Sequence, residues 1–169
     1  MTRLALILVA LMAVAGCEAV KSMDVKDLMD LSFGADVEKF TFNTGGDTHA
    51  EGFGGWKVSF DRAGSIKLAH TLSGQSTDFE PYALTPDQAK TLWAVIDRLP
   101  FKKLSKSAKN VAPVPPGTTM YAFNWTIDGK PHTATLPSTE ALKNSGVNAM
   151  VSVLEPLIHD ATGIQPTLK

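Results

Sequence analysis

The stretch Trp56–Leu72, WKVSFDRAGSIKLAHTL, decides the fold because it predicts a complete β-hairpin. Apolar side chains occupy every second position in both arms, which is typical of two strands that each bury one face. A three-residue loop with Gly64 in the left-handed conformation joins the arms and places Trp56 opposite His70. A slip of one residue would bury Lys67, so the register is strongly specified.

A second hairpin is predicted around the Asp-Gly dipeptide at 128–129. Aromatic and apolar residues alternate with small or polar ones over 121–127, the strand that enters this turn. The two-residue turn sets Trp125 opposite His132 in the returning strand. Pro131 has no backbone N–H to donate, so we expect the returning strand to lie at an edge of the sheet.

Three further elements complete the predicted domain. The alternation around 40–42 indicates a strand with one buried face. Thr85 can cap a helix that Pro100 ends. A last helix is predicted over 147–161, and Pro156 within it predicts a kink or a break into two pieces.

These elements predict the α+β fold class. We expect a two-layer domain, with an antiparallel sheet of about five strands and two main helices on one face, in the order β-ββα-ββα. The single domain is predicted to span 36–169, and 17–35 reads as a tether with a short helix. The second face of the sheet would be exposed to solvent, because it carries small or polar residues: Lys57, Ser59, Lys67, Ala69, Asn124 and Thr126.

The N-terminal segment predicts export. Arg3 precedes an apolar block over 4–14, about half of the roughly 20 residues that span a membrane. The block closes with Val14-Ala15-Gly16-Cys17, which resembles the lipobox of bacterial lipoproteins. The resemblance implies that 1–16 are a signal peptide and that Cys17 receives a lipid with fatty acids such as palmitate. The protein would then be anchored to a membrane.

Composition and the same resemblance restrict the location and the partners. Cys17 is the chain's single cysteine, so disulfides and thiolate metal sites are excluded from the mature domain. The net charge of −1 offers no basic excess for nucleic acid. Glutamate follows the lipidated cysteine, so a two-membrane cell would carry the protein on its outer membrane, facing the periplasm. Another envelope protein is the expected partner.

The glycine-rich segment 43–55 is predicted to be a mobile loop. Asp47, His49 and Glu51 alternate within it, so an extended backbone would turn all three side chains to one side, as a divalent metal site requires. Ordering such a loop costs conformational entropy, and a polar glycine loop without metal is the alternative. No cofactor is expected.

Two groups of residues are candidates for binding. The histidines opposite tryptophans could act as an acid, a base or a pH sensor, or they could simply be packed or rim residues. The lysine cluster at 102–109, which precedes an extended polyproline-like connection predicted at 111–117, could meet acidic lipid headgroups or an acidic partner, or form a solvated loop. The candidates are Trp56, His70, Trp125, His132, Lys102, Lys103, Lys106 and Lys109.

Three functional hypotheses remain open. The first is a lipid-anchored, non-catalytic binding or assembly module that uses the wet sheet face or the loops at 43–55 and 105–118. The second is an inhibitor or immunity protein against a secreted enzyme. The third is a metal-assisted hydrolase that uses the Asp47, His49 and Glu51 loop.

Overall fold

The computed structural model describes residues 37–49 and 52–168, so the predicted signal peptide, Cys17 and the tether lie outside the described residues. This part of the chain forms eight strands and four helices. The strands are β1 (Val37–Gly45), β2 (Asp47–His49), β3 (Gly52–Asp61), β4 (Ser65–Leu72), β5 (Gln75–Asp78), β6 (Tyr82–Ala83), β7 (Met120–Ile127) and β8 (Lys130–Pro137). The helices are α1 (Pro86–Ile96), α2 (Phe101–Ala108), α3 (Ser138–Ala141) and α4 (Ser145–Thr162).

All strands form one antiparallel sheet, as the α+β prediction expected. The order is β5-β4-β3-β1-β7-β8, with β2 paired to β3 and β6 paired to β4. The prediction of about five strands was therefore too low. Strand β5 was missed because its sequence QSTD is polar and every residue in it is exposed, so it has no apolar alternation.

Both predicted hairpins have the expected register. Trp56 lies opposite His70 in β3–β4, and Trp125 lies opposite His132 in β7–β8. Gly64 has φ +87°, the left-handed conformation that the three-residue loop requires. Strand β8 ends the sheet on its side, as its proline predicted.

The described residues of the segment 43–55, which are 43–49 and 52–55, form strands almost throughout, so the loop that the glycines predicted was wrong for them. Strand β1 extends to Gly45, and β2 pairs with the start of β3. A Cβ at Gly55 would overlap the carbonyl of Thr44, so only glycine permits this close approach of β1 and β3. The Thr44 hydroxyl accepts a hydrogen bond from the Trp56 N–H at 2.8 Å, which fixes the two strands at this point.

Helices α1 and α4 begin and end with recognisable caps. Thr85 and Gln88 form the predicted capping box at α1. Helix α4 ends at Gly163, whose φ is +71°. The helix is not broken at Pro156, because four buried residues on both sides of it pack into one core: Val151, Leu154, Leu157 and Ile158. None of the described helices is long and apolar enough to cross a membrane.

The core lies between one face of the sheet and the helices. The inward residues of the central strands and the buried residues of α1, α2 and α4 form one hydrophobic cluster. The six polar or small residues predicted on the outer face are all exposed or half-buried: Lys57, Ser59, Lys67, Ala69, Asn124 and Thr126. The domain therefore keeps one face of its sheet in contact with solvent.

Candidate binding site at the sheet edge

Helix α2 is docked beside the last hairpin by two apolar residues. Phe101 and Leu104 are 6% and 3% exposed. The Phe101 ring lies 4.8 Å from Trp125 and 6.2 Å from Phe40, centroid to centroid. The solvated-loop alternative for the lysine cluster was wrong for 101–108, which form a helix directly after Pro100, whereas 111–117, predicted as an extended connection, contain no helix or strand.

The surface of α2 is strongly basic. All four lysines of the predicted cluster are exposed: Lys102, Lys103, Lys106 and Lys109. The sequence holds no Asp or Glu from Arg98 to Ile127, so no nearby carboxylate along the chain offsets these charges. This concentration of charge produces a local positive field on a protein whose net charge is only −1.

Strand β8 directs alternate backbone groups to an open edge. The Ser138 N–H donates a hydrogen bond to the Thr119 carbonyl at 2.8 Å, one pair beyond the β7–β8 ladder. Because hydrogen-bonded pairs alternate along an antiparallel ladder, the backbone groups of the even-numbered residues of β8 bond to β7. The backbone N–H and C=O groups of the odd-numbered residues of β8 therefore point away from β7, toward the open edge of the sheet. Two of them are Pro131 and Pro137, which have no N–H, so the free donors of the edge belong to Thr133 and Thr135.

An open groove of about 430 Å³ runs between α2 and β8. Ser105, Ala108 and Lys109 line it from the helix, and residues 132–135 line it from the strand. The small side chains of the helix leave room, and the threonines expose both backbone groups and hydroxyls. We call this feature the α2–β8 groove.

Two predicted binding residues meet in the α2–β8 groove. Lys109 and His132 both line it, although they are far apart in sequence. The His132 ring stacks on Trp125 with centroids 5.6 Å apart and planes 13° apart, which fixes its position at the mouth of the groove. Trp125 itself is 4% exposed and belongs to the core. The other three lysines lie on the same helix but do not line the groove.

The second tryptophan and histidine pair lies elsewhere. Trp56 stacks on His70 at 4.3 Å and on Phe79 at 6.0 Å, and it is 2% exposed. This pair is on β3 and β4, and β1 separates those strands from β7 and β8. The structure therefore does not bring the two pairs together into one site.

The predicted metal site stays a prediction. Glu51 lies outside the described residues, and of Asp47 and His49 only the backbone is described. Among the residues that the structure does describe, no three His, Cys, Asp or Glu side chains lie close enough to hold a metal ion.

Sequence reasoning missed the small and neutral part of the groove. Ser105 and Ala108 lie within the lysine cluster, where no helix was predicted, and Thr133 and Thr135 carry no charge or ring that singles them out. A usable signal was present in the two prolines. Pro131 and Pro137 are six residues apart and thus face the same edge, which marks the residues between them as an interrupted open edge.

Comparisons with protein families and with curated proteins identify no relative of this chain. No protein-family model matches the chain, and no curated protein matches it. Fold and site together define its class: a small α+β domain whose sheet ends in an open strand beside a basic helix.

Proposed function

We propose that the protein is a lipid-anchored, non-catalytic binding or assembly module of the bacterial cell envelope, and that it holds a partner protein in the α2–β8 groove. The observation that supports this function best is the groove itself. It joins a free strand edge to Lys109 and His132, and it lies beside the basic surface of α2. Main-chain groups at a strand edge supply affinity for a polypeptide, and charged side chains beside it supply selectivity.

The anchor is supported by the N-terminal sequence. Val14-Ala15-Gly16-Cys17 has the lipobox pattern, and the apolar block before it has the length of a signal peptide. A lipidated Cys17 would hold the domain at a membrane surface, where two or more acyl chains bind far more firmly than one. Glu18 favours the outer membrane, with the domain facing the periplasm, in a two-membrane cell.

Metabolic labelling tests the anchor. Cells that express the full chain are grown with labelled palmitate, and the protein is isolated from membranes. We expect a labelled mature protein that begins at Cys17, and we expect Cys17→Ala to lose both the label and the membrane association. An unlabelled wild-type protein with an intact N-terminus would show that the lipobox assignment is wrong.

Site-specific photo-crosslinking in native envelopes tests the binding site. One variant carries the photoreactive residue in place of Thr135, at the groove, and a matched control carries it in place of Lys90, which is exposed on α1. We expect one abundant protein adduct from position 135 that is absent from position 90. That adduct should weaken when Lys109 and the three lysines of α2 are changed to Gln. Identical adducts from both positions would show that the groove is not the binding site.

A further inference from the structure

We propose that the partner of the α2–β8 groove is an extended acidic polypeptide segment that pairs with β8 as an additional strand. This inference rests on the proposed function, because it specifies what the same groove binds. It follows from three features: the backbone groups that β8 leaves open, the space beside them, and the sign of the surrounding charge.

The open backbone sets the length of the bound segment. Thr133 and Thr135 each offer an N–H and a carbonyl outward, Pro131 offers a carbonyl alone, and Pro137 is buried at the N-cap of α3, where the open edge ends. The stretch from Pro131 to Pro137 spans about 20 Å at roughly 3.4 Å per residue. A partner strand of about four to six residues therefore uses every donor of the edge, and longer pairing is prevented by the prolines.

The space beside the edge receives alternate side chains of the segment. A strand added to β8 directs every second side chain toward the helix layer. On that side it meets Ser105 and Ala108, whose side chains are small, and the cationic Lys109. His132 lies on the same side of β8 and is exposed. Acidic side chains at alternate positions match this surface, and the remaining lysines of α2 attract the approaching segment.

A second copy of this chain is the less favourable occupant. Edge-to-edge pairing of two β8 strands would place Lys109 of both copies along one seam, together with both basic helices. Like charges opposite one another destabilise strand pairs. The same charges protect an exposed edge from self-association, as lysines commonly do in natural sheets.

The test uses the full chain, purified with its anchor in detergent, and a short acetylated and amidated peptide in which Glu alternates with Val. Amide hydrogen exchange is followed by NMR with and without the peptide. We expect exchange to slow at Thr133 and Thr135 and to stay unchanged at Ala134, whose N–H already bonds to β7. N-methylation of every peptide nitrogen keeps the charge but removes the strand donors, and it should lower the affinity at least about tenfold.

Two protein variants test the charge requirement. Lys109→Gln should lower the affinity for the Glu-Val peptide about threefold, because one exposed charge contributes modestly to binding. Lys90→Gln on α1 should leave this affinity unchanged. Equal binding of the methylated and unmethylated peptides would overturn strand pairing. Binding to vesicles that contain phosphatidylglycerol, without slowed exchange at Thr133 and Thr135, would also overturn it and would identify a headgroup-binding surface instead.

The outcomes separate this inference from the proposed function. A crosslinked envelope partner at position 135 together with unchanged exchange leaves the binding module intact and rejects strand pairing. Slowed exchange with the peptide, but no partner in envelopes, supports strand pairing and rejects the envelope role. Failure of both measurements rejects both.

Discussion

The two hairpins carry the same local pattern, a tryptophan opposite a histidine, but they lie in different places in the sheet. Trp56 and His70 are in β3–β4, and Trp125 and His132 are in β7–β8. Both tryptophans are buried and both ring pairs are stacked. The histidines differ, because His70 is half-buried and His132 is exposed.

Neighbouring strands cause this difference. Strand β4 pairs on its far side with β5 and β6, and Phe79, just after β5, adds a ring beside Trp56. In the described part of the chain nothing pairs with the far side of β8. The local pattern thus determines which residues face each other across a hairpin, and later segments of the chain determine which hairpin offers a surface for binding.

The largest loss of stability is expected when Phe101 is removed, because its ring packs against the β7–β8 hairpin. Phe101→Ala removes the ring between α2 and Trp125 and should lower the free energy of unfolding by about 4 kcal/mol. Phe79→Ala, the counterpart beside Trp56, should cost about half as much because Phe79 is only partly buried. Chemical denaturation of both variants measures the difference. Equal losses would show that the two hairpins are supported to the same extent.

The next effect concerns the contact that ties the interior hairpin to β1. Gly55→Ala places a methyl group against the Thr44 carbonyl, so the strands must shift, at a cost of about 3 kcal/mol. Gly45→Ala is the matched control, because an added Cβ there has nothing within 4 Å. Thermal and chemical unfolding of both variants test the contact. A stable Gly55→Ala protein would contradict the close approach of β1 and β3.

A smaller and equal effect is expected at the two turns. Gly64 and Gly129 have φ of +87° and +68°, and neither has an atom within 4 Å of an added Cβ. Alanine at either position should cost about 1 kcal/mol from backbone strain alone. The shift of the urea unfolding midpoint, at an unchanged m-value, measures this cost. A clearly larger loss at one turn would show that the turns do not contribute equally to the two hairpins.

The smallest effect separates the two histidines. His70→Ala removes a half-buried ring stacked at 4.3 Å and should cost about 1 kcal/mol. His132→Ala removes an exposed ring stacked at 5.6 Å, and its cost should be less than about half as large. Denaturation curves measured in parallel would reveal the difference. A reversed order would mean that the edge hairpin depends on its histidine more than the interior one.

Local signals predicted the local structure well. The alternation in both hairpins, the turn glycines, and the capping box at Thr85 specify backbone geometry within a few residues, and the structure contains all of them. Helix α2 was missed because its position depends on contacts with distant segments, and strand β5 was missed because its polar sequence has no apolar alternation, although it forms a tight hairpin with β4. The Phe101 ring packs on Phe40 and Trp125, and the polar strand β5 has only β4 to hold it.

The candidate site was predicted only in part for the same reason. The charged and aromatic residues stood out in the sequence, and Lys109 and His132 do line one groove. Their meeting depends on the docking of α2, which no local pattern encodes. Pro131 indicated an edge strand, but the free backbone groups of Thr133 and Thr135 were not predicted, because a backbone group is available only when no further strand pairs with it in the sheet.

The central position of β1 determines how the domain would bear mechanical load. Strand β1 is the first described strand after the predicted tether, and it lies between β3 and β7. A force applied at Val37 along the axis of β1 would be perpendicular to the hydrogen bonds of both neighbouring ladders and would load them in shear together. The Arg62 Nε donates to the Val37 carbonyl at 3.0 Å and adds a bond where the tension enters. An edge strand such as β8 is held by one ladder only, so the position of β1 between two neighbours gives it more resistance to removal than an edge strand has.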